Sequence, residues 1–218
     1  MSNPDSFIEE VTEEVRRDRL FNLMRRYGWI AIAAVVLLVV GAAYNEWQKA
    51  RDTAAARAFG DAVLTAIEAP TPEERAAGLA AIQADDAGRA LMLDLLSAGL
   101  RQPGQDVAAS LATLGRISAD ATLPQAYRDL ALIKRVLIAG DALPAPERDA
   151  ALASLAEAGR PFRPLAMEQQ ALALVQSGDI AGALATIAAT EQEPQASALQ
   201  KRRLGQLRQA LGGDGLDK

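Results

Sequence analysis

The residue types that carry most protein chemistry are missing from this chain. Its 218 residues include no Cys and no His. That excludes disulfides, thiolate nucleophiles, zinc sites of the Cys/His kind and any mechanism with an imidazole base. A Ser/Lys dyad is what remains for a hydrolase. Lys stands only at Lys49, Lys134, Lys201 and Lys218, none in a Ser-x-x-Lys setting. Paired carboxylates occur at Glu73–Glu74 and Asp85–Asp86. Each pair falls at an expected helix start, where acids cap free N–H groups and complement the helix dipole. The stretch Gly212-Gly213-Asp214-Gly215-Leu216-Asp217 matches the opening of a calcium-binding nonapeptide repeat. Such sites need stacked copies, so a single copy reads as a helix stop and a disordered tail over 212–218. Lys201, Arg202, Arg203 and Arg208 make a basic cluster. It reads as a solvated helix face, or as a contact for anionic lipid or an acidic partner. The formal net charge is −5 and no basic stripe carries interleaved aromatics, so nucleic-acid binding is not expected. These residues point away from an enzyme: no catalytic group, no cofactor, no metal and no small-molecule substrate.

The elements around them say more. Gly28 to Tyr44 is an apolar run without a charged residue. As a helix it spans roughly 26 Å, close to the hydrocarbon thickness of a bilayer. Tyr27 and Trp29 bracket one end, Tyr44 and Trp47 the other, and Arg25 and Arg26 stop the run sharply. Aromatic rings favour the membrane–water interface. A core helix would carry a polar stripe, and Trp29 to Ala43 has none. A cleaved signal peptide would have a short basic leader and an apolar stretch of ~7–15 residues. Here the leader is long and acidic (Glu9, Glu10, Glu13, Glu14, Asp18). An uncleaved anchor is the expectation. Arg16, Arg17, Arg19, Arg25 and Arg26 precede it, against Lys49, Arg51 and Arg57 just after it. The positive-inside rule then puts the N-terminus in the cytoplasm and the large C-terminal part across the membrane.

The resulting division is a cytoplasmic segment 1–26, an anchor 27–47, a helical domain 48–211 and the tail. Residues 3–21 read either as a short amphipathic helix or as a partly disordered tail. Half of the chain is apolar but only 4% is aromatic, and much of the remainder is Ala. Ala is the best helix former, so the domain should be all-α with closely packed helices. The helical pattern continues from Asn45 to about Glu68 and stops at Ala69-Pro70-Thr71-Pro72. Thr71 and Glu74 form a capping box. Further helices are expected from Asp85 or Asp86 to Leu100, Asp106 to Ser118, Pro124 to Gly140, Pro146 to about Gly159, Pro164 to Ser177, and over 180–190 and 194–211. No segment alternates with period two, so no sheet is expected.

Short connections make neighbouring helices antiparallel. Gly104, Gly140 and Gly178 mark hairpin turns 36 and 38 residues apart, near the 34-residue tetratricopeptide period. Ala183, five residues past Gly178, is the expected helix crossing. The same count gives Ala109 and Ala145. The small-residue position of the first helix is Ala171 in one copy but Ser97 and Ile133 in the others. The fold expected is therefore a single transmembrane helix followed by a degenerate tetratricopeptide-like array, with an unrelated helical bundle as the alternative.

The acidic-then-basic N-terminus, Arg25-Arg26-Tyr27-Gly28-Trp29, the anchor, Asn45-Glu46-Trp47-Gln48 and the degenerate hairpins together resemble the YfgM-like family. These are bacterial inner-membrane proteins with a periplasmic tetratricopeptide-like domain. The resemblance implies association with Sec translocon subunits and a membrane-anchored periplasmic chaperone. It implies a role in handing exported proteins to folding factors. A scaffold in envelope assembly or cell division would have the same architecture, and a homo-oligomer is compatible with it.

Setting Gly140 and Gly178 at equivalent repeat positions puts seven first-helix residues on the expected groove. They are Tyr127, Leu130, Lys134 and Leu137 in one repeat, and Glu168, Leu172 and Val175 in the next. This set could grip a peptide and orient it by charge. The same residues could pack in the core, since degenerate repeats often close their groove.

Overall fold

The computed structural model describes residues 4–100 and 107–213, with side chains from Met24 onward apart from Ala31 and Asp141. All regular structure among them is helical. The chain divides into two compact units, Met1–Ala62 and Val63–Lys218.

One helix, α1 (Pro4–Ile67), carries the apolar run and continues past it. The Met24–Ile67 stretch is long and apolar enough to cross a membrane, with mean hydropathy 2.1 in its most apolar window, none of which is buried. Residues 4–21 are helical as the start of α1; their side chains lie outside the described residues, so the amphipathic face expected there does too. The terminal residues 214–218 and the expected break and cap at Arg101–Asp106 are likewise outside.

The second unit follows in short helices: α2 (Pro72–Ala81), α3 (Ala87–Gly99), α4 (Ala108–Ala119), α5 (Gln125–Ala139), α6 (Ala145–Leu155), α7 (Arg163–Ser177), α8 (Ile180–Gln192) and α9 (Ala198–Ala210). Local signals set their starts. The Thr71 hydroxyl accepts from the Glu74 N–H at 3.2 Å while the Glu74 carboxylate accepts from the Thr71 N–H at 3.2 Å. Asp86 accepts from the Arg89 N–H at 2.9 Å. Both carboxylate pairs thus serve helix starts, as expected. Two boundaries differ from expectation by more than two residues. The last helix starts at Ala198 rather than Pro194, because Ser197 supplies the cap, accepting from the Gln200 N–H at 3.1 Å. The α6 helix stops at Leu155, four residues short of Gly159, and its end is tied down by the Arg163 guanidinium, which donates to the Ala156 carbonyl.

Packing is sequential, and it repeats. The odd helices α3, α5, α7 and α9 begin 38, 38 and 35 residues apart. One core joins α3, α4 and α5 through Leu95, Leu114, Ile117 and Ala131. The next joins α5, α6 and α7 through Ile133, Leu152, Leu155 and Ala166. A third joins α7, α8 and α9 through Ala171, Ile187 and Leu204. Each core is thus two odd helices and the even one between them. Burying side chains such as Ile187 (0% exposed) and Leu204 (1%) contributes roughly 1.5–3 kcal/mol each. At the start of the unit α2 sits close on the end of α1: a Cβ on Gly78 would lie 2.9 Å from that of Ala66.

The hairpin crossings are uneven. Ala171 and Ala183 are both fully buried where α7 meets α8, as expected. Ala109 and Ala145 are exposed and are not crossing positions. In the first case the buried small residue is the next one, Ser110. In the second, a 3-10 turn (Gly140–Ala142) delays the start of α6, so a count of five past the glycine reaches only its first residue.

Candidate functional site

The seven expected groove residues separate into two groups. Lys134 and Glu168 stand 34 residues apart, on α5 and α7. Both turn toward a neighbouring odd helix. The Lys134 ammonium donates to the Leu95 carbonyl at 2.8 Å, in the closing turns of α3. A cation there complements the helix C-terminus. Burial pushes its pKa below the usual lysine value. The Glu168 carboxylate, 8% exposed, accepts from Gln200 Nε2 at 2.9 Å and from the Arg203 guanidinium at 3.0 Å, tying α7 to α9. These two charges tie neighbouring odd helices together, α5 to α3 and α7 to α9. Arg203 is thereby taken out of the basic cluster, and Arg208 lies 3.8 Å from Glu191, so two of the four cations in that cluster are paired within the fold.

Leu130 is half-buried between the first two cores and Val175 is half-buried on α7. Tyr127 (46% exposed), Leu137 (46%) and Leu172 (37%) reach the surface. Leu137 and Leu172 meet across a cleft of about 140 Å³ between α5, α6 and α7, whose rim carries Arg148, Gln169 and Gln176. A second cleft of about 310 Å³ continues along α6, α7 and α8 and shares Arg148 and Ala173 with the first. Tyr127 lines neither. The rim residues were not among those expected. Gln169, Leu172, Ala173 and Gln176 follow helical spacing and were readable as one face of α7. Arg148 was not, since α6 has no marked polar face.

The cleft has a backbone cause. Gly140 adopts φ 50°, ψ −124°, and the chain then makes its 3-10 turn before α6. That delays the start of the second helix of this hairpin to Ala145. Arg160 steadies the far end: it donates to Glu157 and, at 2.8 Å, to buried Asp129 of α5. Hydrogen bonds to these carboxylates, Glu157 first, push its pKa up and keep it charged.

The flanks of the apolar run form a second candidate contact surface. Arg25, Arg26, Tyr27, Trp29, Tyr44 and Trp47 are all exposed. Tyr44 and Trp47 lie with ring centroids 6.0 Å apart, and the Arg51 guanidinium sits 5.0 Å from the Trp47 ring. This is an amphipathic belt suited to an interface. Among the described residues no group of three or more Asp or Glu converges as a metal site would need. No family model, curated protein or solved structure matches the chain.

Proposed function

We propose that this protein is a membrane-tethered interaction module without catalytic activity, its hairpins a degenerate tetratricopeptide-like array. The observation that carries the reading is the pairing of an uncovered, membrane-length apolar helix with a helical domain whose apolar-floored cleft opens between α5, α6 and α7. The three-helix cores sharing their odd helices support the repeat reading. Leu137 and Leu172 grip an extended or helical segment, while Gln169, Gln176 and Arg148 orient it by hydrogen bonds. Tethering raises the domain's concentration beside membrane partners.

The resemblance to the YfgM-like family makes the partners, in this proposal, Sec translocon subunits and a membrane-anchored periplasmic chaperone. The domain then lies in the periplasm and the N-terminus in the cytoplasm. A photocrosslinking amino acid at Leu172, in native membranes, should capture those partners, and Leu137→Glu should reduce the yield about tenfold by placing a charge in the cleft. Capture that is unchanged by Leu137→Glu removes the cleft from the reading. Protease added to spheroplasts should digest the C-terminal domain; full protection reverses the orientation.

A further inference from the structure

From Trp47, alternating steps of three and four residues reach Ala50 and Ala54 in one direction and Ala43, Val40 and Val36 in the other. All six are exposed on α1. Inside the apolar run every register is apolar, so the residues from Asn45 to Ala54 decide whether a seam exists. There, every other run of such steps meets a charged residue. The seam ends where Arg57 takes the next position.

We propose that this seam pairs α1 in parallel with α1 of a second copy of the chain. With Trp47 and Ala54 as a positions and Ala50 as d, Glu46 is the g residue and Arg51 the e residue of the following heptad. In a parallel pair, g of one helix meets that e of the other. Glu46 of each copy therefore faces Arg51 of its partner, twice by symmetry. An antiparallel pair would not make this match. Two copies anchored in the same orientation can pair only in parallel, so the membrane and the charges select the same arrangement. Arg51 already lies along the Trp47 ring, which places its guanidinium at the seam's edge. Ala50 and Ala54 let the helices approach closely beyond the bilayer, with Trp47 supplying the bulk at its surface.

The absence of native Cys makes the test clean. Single-Cys variants of the full chain are oxidised in membrane vesicles. Ala50→Cys and Ala54→Cys should give a disulfide-linked dimer at roughly five times the yield of Asp52→Cys and Ala56→Cys, which lie off the seam. In the Ala50→Cys background, Glu46→Arg and Arg51→Glu should each lower the dimer yield, and together restore it. A flat profile, a maximum at Asp52 or Ala56, or failure of the charge swap to restore overturns the pairing. So does crosslinking of Ala50→Cys to a different membrane protein in place of a second copy. Loss of cleft-dependent capture at Leu172 leaves this result untouched, so the two readings fail separately.

Discussion

The α7–α8 hairpin and the α5–α6 hairpin begin from the same sequence device, a glycine followed by an aspartate, and end in different structures. At Gly178 the backbone is left-handed (φ 83°, ψ 4°), and the Asp179 N–H closes onto the Leu174 carbonyl at 2.9 Å. Asp179 then caps α8, accepting from the Gly182 N–H at 2.9 Å; a Cβ on Gly182 would collide with that carboxylate. Two fully buried alanines let the helices touch. At Gly140 the chain turns through a conformation outside the left-handed helical well and inserts a 3-10 turn. Ile133, 38 residues before Ala171, is buried in the core that α5 and α6 share with α7. The α7–α8 crossing packs its two helices directly through these alanines, while the Gly140 turn lines the cleft that Leu137 and Leu172 share.

The strongest way to break that contrast is overpacking. Ala183→Leu should cost about 2–3 kcal/mol, because the fully buried crossing has no room for three more carbons. Ala181→Leu and Ala145→Leu, both at exposed positions, should stay within about 0.5 kcal/mol. Thermal melts of the full chain in detergent give the comparison, and equal midpoints for the three variants would show that the hairpins are not distinguished by their crossings.

The turns offer a smaller and sharper test. Asn tolerates the left-handed region, so Gly178→Asn should be nearly neutral. Gly140 sits at φ 50°, ψ −124°, where residues with a Cβ are strained, so Gly140→Asn should cost about 1–2 kcal/mol. A Cβ at either glycine meets nothing within 4 Å, so backbone conformation alone sets the difference. Denaturant midpoints of the two variants measure it; a larger loss at Gly178 reverses the assignment of the two turns.

Much of this architecture was legible in the sequence because it rests on local signals. The capping box at Thr71, the acidic start at Asp86, the Gly178–Asp179 turn and the apolar run each act within a few residues. The α6 boundary and the position of Ala145 were not legible. They depend on how Gly140 turns and on where Arg163 reaches, which are properties of packed neighbours. The site divides similarly. Leu137 and Leu172 line the same cleft from α5 and α7. Lys134 and Glu168 had the same spacing but were drawn inward by partners 39 and 32 residues away, Leu95 and Gln200. No pattern on their own helices reveals that these charges are ties between odd helices.

Titration can test the Lys134 tie. Glu168 has two side-chain donors around it, Gln200 and Arg203. Lys134 has a backbone carbonyl and no carboxylate among the partners described, and burial lowers its pKa from the ordinary lysine value of 10.5. A base whose folded pKa is depressed binds fewer protons folded than unfolded, between its two pKa values. Stability from this group is therefore lower at neutral pH, rises as pH climbs through the folded pKa, and levels off near the unfolded value. Lys134→Met removes the group and with it this slope. The wild-type chain should gain stability relative to Lys134→Met as pH rises toward about 10.5, the ordinary lysine value. The quantity to follow is the difference between the two denaturation midpoints, since the other titrating groups contribute equally to both chains and cancel. A difference that stays flat or falls with pH would mean that the Leu95 carbonyl stabilises the charged ammonium enough to outweigh its burial. The lysine would then be a full helix-end partner for α3.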